Sequence, residues 1–178
     1  MADDISAGRA ALGRVTLVIG GARSGKSAFA ESLVGEAGGV YVATSEARDD
    51  EMRARIRAHR DRRGPAWRTL EAPLDVAGAL AEAEAEARPA LLDCLTLWLS
   101  NLMEAGRDVE AECAIFVDRL GRLCGPVVLV SNEVGQGIVP ENALARRFRD
   151  HAGRLNQAVA AEADRVYLVA AGLPLQLK

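Results

Sequence analysis

Eight consecutive residues, Gly20-Gly21-Ala22-Arg23-Ser24-Gly25-Lys26-Ser27, carry the spacing G-x-x-x-x-G-K-[ST], which can hold the phosphates of a nucleoside triphosphate. The glycines let successive backbone N–H groups turn inward and form a concave nest for phosphate oxygens. A helix opening near Gly25 adds the positive end of its dipole to that nest. Lys26 can reach the β- and γ-phosphates as a point charge, and the Ser27 hydroxyl can ligate Mg²⁺. The plainer alternative is a glycine-rich turn with an incidental lysine, and the flanking elements decide between the two. A further magnesium ligand is expected at the end of a neighbouring strand. Asp93, after Ala90-Leu91-Leu92, holds such a position; its alternative role is to cap the helix that follows.

The elements around the loop support the phosphate reading. Val15 to Ile19 is an apolar, β-branched run bounded by glycines, which predicts a buried strand, and Ser27 to Glu36 predicts a helix closed by Gly38-Gly39. Strands are predicted at Val40–Ala43, Trp67–Leu70, Ala90–Cys94, Val127–Val130 and Val166–Val169, the last closing the series. Helices are predicted from Asp49 to about Gly64, at Leu74–Ala87, Leu95–Ala105, Val109–Leu123 and Glu141–Glu162. Strands alternating with helices over the whole length predict an α/β fold of P-loop NTPase type, with a mostly parallel central sheet covered by helices on both faces.

The 178 residues allow one domain, expected over residues 14–178 behind a loose tail at residues 1–13. The net charge of -3 excludes the strongly basic balance of a nucleic-acid-binding protein. Cys94, Cys113 and Cys124 form neither a zinc pattern nor a disulfide framework, and no run is long and apolar enough for a signal or a membrane span. A cytoplasmic protein is the expectation.

Four segments carry a resemblance to a known family: GGARSGKS at the phosphate loop, YVATSEARDDEMRARIRAHRDRRGPAWRTLEAP from Tyr41 to Pro73, LLDCLTLWLSNL from Leu91 to Leu102, and SNEVGQGIVPENALARRFRDHAGRLNQ from Ser131 to Gln157. From Thr16 to the C-terminus the chain resembles the bifunctional adenosylcobinamide kinase and adenosylcobinamide-phosphate guanylyltransferase family of cobalamin biosynthesis. The resemblance implies two reactions. A hydroxyl of adenosylcobinamide is phosphorylated with ATP or GTP, and GMP from GTP is then transferred to adenosylcobinamide phosphate through a guanylylated histidine, giving adenosylcobinamide-GDP. Matching of the RIRAHRDRRG motif assigns that histidine to His59, and His151 falls where related sequences usually carry an apolar residue. It further implies that Ala43, Thr44 and Ser45 line the nucleotide site, that Arg60, Asp61, Arg62 and Arg63 contribute to it, and that Glu71 contacts guanine. A carboxylate can accept hydrogen bonds from the N1–H and 2-amino edge of guanine, which adenine does not offer. Symmetric homo-oligomers are implied as well.

The residues alone do not separate the two histidines. Met52, Ile56 and His59 share one predicted helix face, and Leu144, Phe148, His151 and Leu155 share another, so both could be partly buried core histidines. The arginines around His59 (Arg57, Arg60, Arg62 and Arg63) favour it as a phosphoryl centre, where cations must neutralise developing charge. Glu71 could equally be an exposed strand-end glutamate. Asn132 and Glu133, beside Gly135 and Gly137, could face the acceptor. Two other functions stay open at this level: a P-loop small-molecule kinase without guanylyltransferase activity, and a nucleotide-gated regulatory protein that transfers no phosphate.

Overall fold

Alternation along the central strands sorts their side chains onto two faces. Leu17, Leu92 and Leu129 point to one side of the sheet, and Val18, Leu91, Val128 and Val130 to the other. All are buried, as expected for parallel strands covered on both faces. The computed structural model describes residues 12–45 and 63–178. Its strands are β1 (Val15–Gly20), β2 (Val40–Ala43), β3 (Arg68–Glu71), β4 (Ala90–Asp93), β5 (Val127–Asn132), β6 (Arg165–Ala170) and β7 (Leu173–Gln176). They form one sheet in the order β3-β2-β4-β5-β1-β6-β7, parallel except for β7, which runs antiparallel to β6. The predicted helix from Asp49 lies outside the described residues except at its end.

Helix α1 (Lys26–Val34) packs on the face of Val18, Leu91, Val128 and Val169 through Phe29, Ala30 and Leu33. The opposite face carries α2 (Val76–Ala85), α3 (Leu95–Glu104), α4 (Val109–Arg122) and α5 (Ala143–Glu162). Three of these start at a capping side chain. Asp75 accepts from the Gly78 N–H, Asp108 from those of Glu110 and Ala111, and Asn142 from those of Leu144 and Ala145. The centre of the larger core is Trp98, which meets Phe116 at 5.0 Å between ring centroids and donates its indole N–H to the Leu74 carbonyl at 2.8 Å.

β7 departs from the expected element series. After the strand at Arg165–Ala170, the residues Ala171 and Gly172 both take positive φ (51° and 81°) and reverse the chain in a two-residue hairpin. The proline at position 174 is tolerated because β7 is an edge strand. Most other elements shift by one or two residues at an end. Cys94 leaves the fourth strand to become the residue that opens α3, and α1 ends at Val34, with Gly35 turning the chain at φ 82°.

Two predictions follow from the packing. Trp98→Ala removes the largest fully buried side chain and orphans the Leu74 carbonyl; it should cost about 3–5 kcal/mol in a denaturant titration, a large share of a domain's total stability. The three thiols should also separate by reactivity. Cys124 is exposed, Cys113 is half-buried and Cys94 is buried. Burial, helped by Glu112 and Glu110, pushes the Cys113 thiol up to about 11. At pH 8 a thiol reagent should therefore label Cys124 quickly and Cys113 slowly, with Cys113 speeding up as pH rises towards 11, and Cys94 should stay silent until the protein unfolds.

Candidate nucleotide site

The C-terminal edge of a parallel sheet is where loops can gather a ligand. Here the ends of five strands supply Gly20, Ala43, Glu71, Asp93 and Asn132 to that edge. Ala43 sits between Glu71 and Asp93 by register, and Gly20 beside Asn132.

The phosphate loop leaves β1 at Gly20. A Cβ there would lie 2.5 Å from the Val169 carbonyl oxygen and 2.6 Å from Ser24 Oγ, so only glycine fits. Ser24 N–H donates to the Gly21 carbonyl at 3.3 Å, and Gly25 opens α1 with φ 96°. From the far side the Gly172 N–H donates to the Ser24 carbonyl at 2.8 Å, so the β6–β7 turn holds that carbonyl away from the nest. Lys26 folds back over the loop and donates to the Gly21 carbonyl at 3.1 Å. Ser24 Oγ is buried without a hydrogen-bond partner, a polar atom inside the loop beside Gly20. Gly21, Ala22 and Arg23 are exposed, and Ser27 is half-buried in the first turn of α1.

Asp93 ends β4 on the α1 face, where its carboxylate is near enough to the Tyr41 phenol to act on its ionisation. It does not cap α3; that position belongs to Cys94. Burial, then the charge of Asp93, pushes the Tyr41 phenol far above its ordinary range, so it remains a donor at any physiological pH. Arg63 lies over the Tyr41 ring, its guanidinium carbon 3.4 Å from the centroid, and pairs with Glu31 of α1 at 3.8 Å. Its side chain is only 4% exposed. Arg63 is thus brought to the Asp93 side of the edge. His59, Arg60, Asp61 and Arg62 lie outside the described residues.

Thr44 is fully buried, and its hydroxyl is committed to the backbone. It accepts from the Cys94 N–H at 2.8 Å and donates to the Cys94 carbonyl at 2.9 Å. Asn101 of α3 donates to the carbonyls of Thr44 (2.8 Å) and Pro73 (3.0 Å). One buried amide therefore ties together the loops after β2 and β3. Ser45 is half-buried next to them, and Glu71 is exposed at the end of β3. At the end of β5, Asn132 donates to Thr96 Oγ1 at 2.6 Å, and Thr96 Oγ1 lies 3.2 Å from the Cys94 thiol. The Glu133 N–H donates to the Gly20 carbonyl at 3.1 Å, while its carboxylate accepts from the Gly135 N–H. His151 is elsewhere. It lines a cavity of about 450 Å³ with Arg107, Arg147 and Arg154, between α4 and α5, to which the phosphate loop contributes nothing.

Tyr41, Asn101, Thr96 and Gly172 were not among the residues expected at the site. Asn101 had a sequence signal: it falls on the same helix face as Trp98 and Leu102, where an otherwise apolar stripe must give a polar side chain a specific partner. Tyr41 and Gly172 had none, since their roles come from a neighbouring strand and a distant hairpin.

Known proteins resemble the chain at two levels. Among solved structures, a KaiC-like protein of Pyrococcus horikoshii superposes with a TM-score of 0.52 at 15% identity, over 88% of this chain and 71% of the other. The flagellar accessory protein FlaH of Methanocaldococcus jannaschii gives 0.51 at 13% identity, over 94% and 79%. These likenesses show the P-loop NTPase-like fold. In sequence, the bifunctional adenosylcobalamin biosynthesis protein CobP of Pseudomonas aeruginosa is 50% identical, over 91% of this chain and 96% of the relative. The corresponding CobU of Salmonella typhimurium is 45% identical, over 91% and 98%. With residues 16–177 matching the family model as well, the chain belongs to the CobU family, cobinamide kinase / cobinamide phosphate guanyltransferase.

Proposed function

We propose that this protein carries out both reactions named by its family: phosphorylation of the hydroxyl of adenosylcobinamide with ATP or GTP, then transfer of GMP from GTP to adenosylcobinamide phosphate. The supporting observation is a phosphate loop wedged between β6 and α1, on the same sheet edge as Asp93, in a chain that matches the family over residues 16–177. The loop's N–H groups, the unpartnered Ser24 hydroxyl and Lys26 bind and orient the triphosphate. Ser27 and Asp93 would hold Mg²⁺, which would supply positive charge to offset that of the phosphates. Ala43, Thr44 and Ser45 form the wall after β2, with Thr44 acting through the backbone it secures. Glu71 is exposed at the strand end and can accept from the guanine edge.

In the second reaction an imidazole nitrogen of His59 attacks the α-phosphorus of GTP. A P–N bond forms, the bond to the β-phosphate oxygen breaks, and pyrophosphate leaves. A phosphate oxygen of adenosylcobinamide phosphate then attacks the same phosphorus, the P–N bond breaks, and adenosylcobinamide-GDP is released with His59 restored. Arg60, Arg62 and Arg63 supply positive charge for the α-phosphoryl oxygens, with Asp61 among them. No helix among the described residues is long and apolar enough to cross a membrane, and we place the enzyme in the cytoplasm. A homo-oligomer is supported by the edge strand β7, whose Leu173 and Leu175, with Leu177 just beyond, are exposed on one face.

Two substitutions test this reading. Lys26→Ala should lower both transfers by about a hundredfold or more, measured as product formed from each acceptor, because one loop serves the triphosphate in both. Near-normal phosphorylation would remove Lys26 from the site. Labelled GTP should leave an acid-labile, alkali-stable adduct on wild-type and His151→Ala protein and none on His59→Ala, which should still phosphorylate adenosylcobinamide. An adduct persisting in His59→Ala would move the nucleophile elsewhere, and no adduct on wild type would leave a kinase alone.

A further inference from the structure

The described residues expose several large apolar side chains, and five of them belong to segments that leave the ends of β4 and β5 at the reactive edge. Leu97 is in the first turn of α3, Val134, Ile138 and Val139 follow β5, and Leu144 is in the first turn of α5. Ile138 is 97% exposed. The Asn132–Thr96 hydrogen bond joins the end of β5 to the first turn of α3, which sets Val134 and Leu97 on either side of one contact. The loop is secured at both ends. Glu133 bonds Gly20 and Gly135 at its root, and at its far end Arg146 donates to the Pro140 carbonyl at 2.9 Å while Asn142 caps α5. Such an apolar rim, presented on an ordered loop, marks a binding surface.

The occupant follows from the direction of transfer. On one flank of the phosphate loop, the β6–β7 turn is bonded to Ser24 and closes the approach. On the other flank lie β5 and then β4, with Asn132 and Asp93 at their ends. A hydroxyl that attacks in line with the leaving phosphate must therefore arrive over the ends of β4 and β5. The bulk of the molecule that carries it comes to rest on what lies beyond Asn132. We infer that the rim formed by Leu97, Val134, Ile138 and Val139 seats the corrin macrocycle of cobinamide, a broad ring whose methyl groups, between its amide arms, offer apolar contact, while its hydroxyl arm passes Asn132 towards the phosphate loop. The inference rests on the cobinamide-kinase reading and specifies where its acceptor is held.

The test uses Ile138→Asn/Val139→Asn in the full chain, with Ile115→Asn, an exposed apolar position on α4, as control. Three quantities are measured: KM and kcat for cobinamide, affinity for a non-hydrolysable GTP analogue, and sedimentation. The double variant should raise KM for cobinamide by about tenfold or more, with kcat, nucleotide affinity and sedimentation unchanged, and the control should match wild type. An unmoved KM overturns the rim as the seat. A shift in sedimentation together with weaker nucleotide binding overturns it in favour of a contact between copies of the chain. Wild-type protein without any turnover of cobinamide would instead overturn the functional reading, and this inference with it.

Discussion

The nucleotide site depends on a close approach between two strands of opposite chain ends. Gly20 leaves β1 under the carbonyl of Val169, with no room for a side chain, and the Gly172 N–H takes the Ser24 carbonyl. A nest of N–H groups works only if the intervening carbonyls face away, and a carbonyl left free would repel phosphate. The parallel pairing of β1 with β6 brings the hairpin turn to that place. The phosphate loop is therefore shaped as much by the β6–β7 turn as by its own glycines.

The other half of the edge is organised by buried polar side chains. Thr44, Asn101, Ser131 and Asn156 are all buried, and each is bonded. A buried amide without partners would cost about 1–3 kcal/mol, so such groups fix one arrangement of the loops rather than merely tolerating it. Asn101 fixes the spacing between the loops that follow β2 and β3, and Asn156 links β5 to α5 by bonding both Ser131 and the Asn132 carbonyl. The core behind them is apolar and two-sided, so the chemistry sits on a sheet edge that has little freedom to shift.

The sequence made this architecture readable where periodicity and spacing are local. The phosphate loop with its flanking strand and helix, the alternation of elements and the edge position of Asp93 all follow from short-range pattern. β7 was not readable, because a four-residue segment containing proline, with every residue exposed, has no burial pattern to betray it; only the turn at Ala171-Gly172 marks it. Thr44 was expected as a wall of the nucleotide site, yet its hydroxyl is spent on Cys94, a partner fifty positions away in the chain. Tyr41 reads as one more strand residue, and the charge of Asp93 reaches its phenol only when β2 and β4 pair. Long-range partners of this kind carry no signature in the residue itself.

The bond between Ser24 and Gly172 also orders events in time. The segment that forms the phosphate loop is synthesised well before the turn that holds its carbonyl. Until β6 docks on β1, a nascent chain has the glycines but not the shape. Nucleotide can then lend no stability to the unfinished protein, since a ligand stabilises only the state that binds it. Occupancy of the loop would thus report that β6 has docked on β1.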